Sequence, residues 1–263
     1  MIKTMYLRRI YASYILSVIV AIILLVLIFF TNDWLGSLPL FVLMIGSIAI
    51  IPVSHYKYNQ VKDLVVPQSE IPMLQLDHLV IQRNVAYFPQ LLFFQKDGSY
   101  VGTAKLQTLP WYGYLLSPFF KSDLITILPF TYTMYDESER EVMHLQKRGW
   151  FLKSYVTIMN EDGHHIGSYE QEDYRIFSIQ GKLKDATDQL LLPIHADFTT
   201  SFTLTDDHKR QWASFYQGRF PHEYTHIFRD MENHIVELSD SLEETDHRRL
   251  LGVLTFLFLH IKR

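Results

Sequence analysis

Two long apolar stretches stand near the start of the chain, and short runs of alternating apolar and polar residues follow them. Ile10–Phe30 and Leu35–Val53 carry no charged residue. Each is close to the roughly 20 residues that a helix needs to cross a hydrocarbon core of about 30 Å. Only Thr31-Asn32-Asp33-Trp34 separates them, so the pattern predicts an antiparallel transmembrane hairpin over residues 1–55. Ser13, Ser17 and Ala21 recur every four residues on the first span. Such a ridge of small residues lets helices approach closely, either within the hairpin or to another copy, and packing within the hairpin is the simpler expectation. Tyr11, Tyr14 and Trp34 stand near the span ends, where interfacial aromatics collect.

Residues 56–73 are polar, contain two prolines and show no period, which predicts a linker. From Leu74 onward the period is two. Phe130, Tyr132 and Met134 alternate with Thr131 and Thr133; Val156 and Ile158 alternate with Tyr155, Thr157 and Met159; Phe198, Phe202 and Leu204 stand opposite Thr199, Ser201 and Thr203. That alternation predicts strands with one face buried. Leu91–Gly102 and Val156–Gly167 share a pattern of strand, Asp-Gly, two residues, an aliphatic residue and glycine. Asp97-Gly98 and Asp162-Gly163 therefore read as hairpin turns. A third hairpin is expected over Tyr224–Ser239, connected by Arg229–Asn233. Ser241-Leu242-Glu243-Glu244 has the form of a helix capping box. It leads into Leu250–Ile261, apolar on nearly every side. Twelve helical residues rise only about 18 Å, too little to span a bilayer, and a helix apolar all round must be buried all round. With hairpins as the other material, the expected fold is mainly β: an antiparallel barrel over residues 74–263 wrapped around a buried C-terminal helix.

Charge orients the hairpin. Lys3, Arg8 and Arg9 precede the first span, Lys57 and Lys62 follow the second, and the loop between carries only Asp33. The positive-inside rule puts both termini and everything after about Lys57 on the cytoplasmic side of the cell membrane. A cleaved signal peptide is the competing reading of the first span, but its apolar run exceeds the usual 7–15 residues and no A-x-A-like site follows Phe30. No ionisable residue lies within either span, which suits an anchor rather than a transporter. A net charge of −4 and an isoelectric point near 6.3 give no case for nucleic acid. The chain of 263 residues contains no cysteine, which excludes disulfides, thiolate metal sites and cysteine nucleophiles. Aromatic residues make up 14% and there are only 11 glycines, as in an ordered globule.

Hairpins of the form DG-x-x-[V/I]-G, followed by a buried apolar C-terminal helix, resemble the tubby C-terminal-like superfamily of tubby, LURP-one-related and phospholipid scramblase proteins. The resemblance rests on Asp97–Gly102, Gly149–Lys153, Asp162–Gly167 and Leu250–Ile261. It covers roughly residues 74–263, and within the superfamily the chain is most similar to membrane-anchored bacterial members. It implies a closed β-barrel around the helix. The basic positions through which tubby domains bind phosphoinositides have no match here. The cysteine-rich segment of scramblases is absent, and the spans are N-terminal. The resemblance therefore implies a fold and no functional residues.

Several motifs invite a function. His222-Glu223-Tyr224-Thr225-His226 matches H-E-x-x-H, which on a helix would place two histidines over one zinc with the glutamate beside its water. Against it, Pro221 would have to start that helix, Arg229 and Glu232 stand where the metzincin continuation needs glycine and histidine, and the surrounding pattern favours a strand, where residues i and i+4 lie roughly 13 Å apart. His164-His165 adjoin at a hairpin return and would point to opposite faces. Lys57, Lys62, Lys147, Arg148 and Lys153 are the candidates for a basic membrane-facing surface, joined by Lys182, Lys184, Lys209-Arg210 and Arg248-Arg249, against anionic headgroups. Trp111-Tyr112 and Phe119-Phe120 belong to a nearly uncharged stretch that either faces a membrane or packs in the core. Serine elbows, P-loops and dinucleotide fingerprints are missing. The expectation is a membrane-anchored, non-enzymatic module without cofactor that binds lipid, a small ligand or a membrane protein partner. A tethered zinc peptidase using His222, Glu223 and His226 is the alternative, and a scramblase-like lipid mover is the third.

Overall fold

The computed structural model describes residues 2–31, 36, 38–63, 66–84, 88–113, 128–149, 154–174, 178–197, 201–218 and 233–260. They form two compact units, Met1–Val65 and Val66–Arg263.

The first unit is a pair of helices, α1 (Ile2–Thr31) and α2 (Leu38–Val61), both long and apolar enough to cross a membrane. They pack antiparallel. Ser17 Oγ donates to Ser47 Oγ at 3.1 Å, and Tyr14 Oη meets His55 Nε2 at 3.3 Å. Ser13 and Ser47 are buried, so the small-residue ridge faces the second helix, as its spacing suggests. Large apolar side chains such as Ile15, Ile22, Leu25 and Phe29 point outward. Pro52 lies within α2 without ending it.

The linker is shorter than the sequence suggests. Residues 56–61 contain neither glycine nor proline and continue α2. Past Pro67, the chain already bonds to the second unit: Tyr100 N–H donates to Pro67 O and Ser69 N–H to Tyr100 O.

The second unit is a twelve-stranded antiparallel barrel, nearly closed: β1 (His78–Asn84), β2 (Gln90–Phe94), β3 (Tyr100–Thr108), β4 (Phe130–Asp136), β5 (Glu141–Arg148), β6 (Tyr155–Asn160), β7 (His165–Tyr174), β8 (Ser178–Asp185), β9 (Leu190–Asp197), β10 (Phe202–Thr205), β11 (Gln211–Gly218) and β12 (Asn233–Leu238). The hydrogen-bonded order is β10-β11-β12-β1, then consecutively to β9, with β9 and β10 coming side by side. Inside runs α3 (Glu244–His260), of which every residue from Leu250 to His260 is buried. Phe256 meets the rings of Phe130 and Tyr169, and Phe258 meets Phe215. Inward positions follow the alternation read from the sequence: Phe130, Tyr132 and Met134 on β4, Val156 and Ile158 on β6.

One local expectation is overturned, and another falls largely on residues outside those described. β12 pairs with β11 along one edge and β1 along the other; the first strand and most of the connection of the hairpin expected over Tyr224–Ser239 lie outside the described residues. The first helical bond runs from His247 N–H to Glu243 O, so α3 starts past Ser241, whose hydroxyl bonds Ser239 instead of capping the helix. The closest approach that requires glycine is at Gly102, where a Cβ would stand 2.2 Å from Tyr135 O on β4 and 2.3 Å from Cε of the buried Met73.

Candidate functional site

The barrel has two unlike ends. At one, α3 enters, and five hairpins turn in the same way, over 95–99, 136–140, 160–164, 185–189 and 206–210. In each, the first residue exchanges backbone bonds with the fourth and fifth, and the fourth has positive φ: Gly98, Glu139, Gly163, Asp188 and Lys209. Only two of these carry the glycine that sequence reading relies on. The others open with Asp136, Asp185 and Asp206, each of whose carboxylates accepts from the N–H groups two and four residues on. That local cap substitutes for glycine's freedom, and an aspartate at the first position was the readable signal. Asp206 goes furthest, also accepting from Arg210 Nε at 2.7 Å and Trp212 Nε1 at 3.2 Å. Burial works to raise its pKa, but these bonds prevail and hold it down to about 2.

At this turn end the strap Met73–Gln75 crosses the mouth between two clefts of about 310 and 510 Å³, both lined by Pro72, Leu74 and Arg248. Acids dominate their rims, among them Glu70, Glu141, Asp77 and Asp240. Arg248 is bound by Glu161 and Glu244.

At the other, loop end, the buried Lys147 and the half-buried Arg83 stand near the C-terminus of α3. On β1 the inward face runs Leu79, Ile81, Arg83, and on β5 it runs Met143, Leu145, Lys147. Lys147 is therefore not on a membrane-facing surface: it is 1% exposed. Its Nζ donates to Leu128 O at 3.1 Å and lies 5.6 Å from the centre of the Phe130 ring. Burial pushes its pKa down to about 7. His260 Nδ1 donates to Phe256 O at 2.8 Å, and burial, with the nearby charges of Lys147 and Arg83, lowers its pKa to about 3. His234 stacks between Phe215 and Phe258. Cations at a helix C-terminus face the negative end of its dipole, which accounts for their position. The missed signal was the period of two itself, which puts Arg83 and Lys147 in step with core residues.

The remaining candidates scatter. Lys57 lies on α2 and Lys62 just past it, 4.0 Å from Asp63. Arg148 is exposed, bonding Gln146 Oε1 at 3.1 Å and no carboxylate. Lys182, Lys184, Arg210, Arg248 and Arg249 are each paired with an acid, so they do not make an unbalanced basic face. His164 and His165 are exposed at their turn. Lys153, Phe119-Phe120 and the whole of His222–His226 lie outside the described residues. Trp111 does not pack in the core: it is 74% exposed. Beside it is a cleft of about 300 Å³ lined by Leu109, Pro110, Pro129 and Arg148 among others. Among the described residues, no group of three His, Asp or Glu side chains is placed to hold a metal.

Comparison of the chain with protein-family models, with curated proteins and with solved structures finds no match.

Proposed function

We propose that the chain is a membrane-anchored binding module, with α1 and α2 crossing the bilayer as a hairpin and the barrel on the cytoplasmic side. One observation carries this reading: the helix pair is apolar on its outside, with its serines set into the interface between the helices. Its serines meet across the helix interface, while Ile15, Ile22, Leu25 and Phe29 face out. In water such a surface would be an extensive exposed apolar patch, whereas a bilayer solvates it. The bases flanking both spans, against none in the loop, support the orientation.

Among the described residues of the barrel, the arrangement suits binding. Its interior is filled by α3, and the low-pKa amine of Lys147 is sealed from solvent. The barrel around a C-terminal helix is also the architecture that the tubby-like resemblance implies, and membership of that superfamily is part of the proposal. Because the chain has no cysteine, single cysteines can be introduced as reporters in the native background. In membrane vesicles of known sidedness, a cysteine at Asp188 should react with a membrane-impermeant maleimide only from the cytoplasmic face, and one at Leu25 from neither. Labelling of position 188 from the outer face would refute the orientation. Release of the protein by alkaline carbonate would refute the anchor.

A further inference from the structure

The two clefts at the turn end adjoin across the strap Met73–Gln75 and share Pro72, Leu74 and Arg248. Each has in its wall a buried polar atom with no hydrogen-bond partner. In the larger cleft it is Nε2 of His247, a residue 8% exposed in the first turn of α3. In the smaller it is Oε2 of Glu137, in the turn that follows β4. A polar atom buried without a partner is costly, so two of them at one mouth call for a reason. Both are acceptors. A carboxylate has no proton to give. Burial holds the His247 imidazole below the usual histidine range, against the opposing pull of Glu244, so the ring is neutral. Nε2 then accepts when the proton sits on Nδ1.

The occupant must therefore bring donors, and the surrounding charge says that they are cationic. The smaller cleft sets five carboxylates against two arginines, and the larger sets three against one. Those arginines are already paired: Arg140 Nε lies 2.8 Å from Asp136 Oδ2, and Arg248 is held by Glu161 and Glu244. A single metal ion does not match this arrangement, since among the described residues no three His, Asp or Glu side chains are placed to share one. The acids are dispersed, and apolar side chains lie among them: Pro72 and Leu74 in both clefts, Leu76 and Leu242 in the larger. Cationic groups joined by apolar links are the chemistry of a linear polyamine.

We propose that the two clefts together bind a linear polyamine, one ammonium donating to Glu137 Oε2 and another to His247 Nε2, with methylene chain over Pro72 and Leu74. This rests on the reading of the barrel as a binding module and names the class of ligand. The full chain in uncharged detergent micelles would be titrated with spermidine by calorimetry at physiological ionic strength. One spermidine per chain is expected, bound roughly tenfold or more tighter than n-butylamine, whose single charge serves one cleft only. Glu137→Gln and His247→Phe should each weaken binding roughly tenfold, the loss of one charge-assisted hydrogen bond. His247→Gln, which keeps an acceptor, should recover most of the affinity. Glu137 is half-buried, so its variant tests the site even where His247→Phe impairs folding. Asp188→Asn, on a turn that lines neither cleft, should leave the affinity unchanged. Equal weakening by Asp188→Asn, or displacement of spermidine by magnesium of equal charge, overturns the site in favour of counterion attraction to an acidic surface. Equal affinity for n-butylamine overturns binding across both clefts. No binding by a folded chain that resists carbonate extraction overturns the ligand and leaves the anchor intact. Binding by a chain that carbonate releases supports the ligand and refutes the anchor.

Discussion

Lys147 shows how one side chain can be in step with the core and still carry a charge. Placed among Arg83, His234 and His260 at the C-terminus of α3, its ammonium gains the helix dipole and the Leu128 carbonyl but loses its hydration. With a folded pKa of about 7 against 10.5 when unfolded, the folded state releases a proton that the unfolded state keeps between those values. Stability therefore rises as pH climbs from about 7 toward 10.5, at up to about 1.4 kcal/mol per unit. Below about 7 both states are protonated and the contribution is flat. Lys147→Met, which fills the site without charge, is expected to remove that rise while keeping the barrel folded, as read from thermal midpoints of detergent-solubilised protein across this range. A variant whose midpoint still climbs with the wild-type slope would show that another group controls it. The sequence offered Lys147 and Arg148 as a surface pair, since adjacent bases look alike on paper. On a strand they point to opposite faces, and only the register with Leu145 tells which one is inside.

The hairpin turns are the elements where sequence reading was half successful. Gly98 and Gly163 announce positive φ, so those two turns were legible. Glu139, Asp188 and Lys209 adopt the same conformation because an aspartate three residues earlier holds the backbone. The cost of a left-handed non-glycine residue, of order 1 kcal/mol, is offset by those hydrogen bonds. Asp206→Ala should therefore destabilise by about 2 kcal/mol or more, since it also leaves the buried Trp212 indole N–H unsatisfied. A double variant Asp206→Ala, Lys209→Gly should recover part of that loss, because glycine adopts positive φ unaided. If the double variant is no more stable than the single one, backbone strain is not what Asp206 offsets. The capping box at Ser241 failed for a related reason: serine found a nearer partner in Ser239, and a four-residue motif cannot report that competition. The pairing of β12 with β1, the first strand of the barrel, is non-local, and no local pattern reports it.

At the scale of the molecule, the fold was legible because each half has a single dominant pattern. Two charge-free runs give the helices, and period-two runs with a helix apolar all round leave little besides a barrel closed on that helix. What remained illegible was which strands adjoin and which end of the barrel carries which connections, both products of topology rather than of local pattern. The helix is the core of the second unit, so Phe256→Ala, removing a ring shared by Phe130, Tyr169 and His260, should cost about 3–5 kcal/mol. Leu190→Ala, on an exposed strand position, should stay within about 0.5 kcal/mol, with both read from denaturant midpoints. Equal effects would mean that α3 is not the barrel's core. The position of that helix in the chain also sets an order of events during biosynthesis. Every strand leaves the ribosome before the segment they must close upon, and at about 5–20 residues per second the stretch from Val66 to His260 takes roughly 10–40 s to make. Through that interval the nascent barrel has twelve strands' worth of inward apolar surface and no filling. Closure of the barrel therefore waits for the helix, and until that segment is made the inward faces of the strands must be kept from sticking to neighbouring chains.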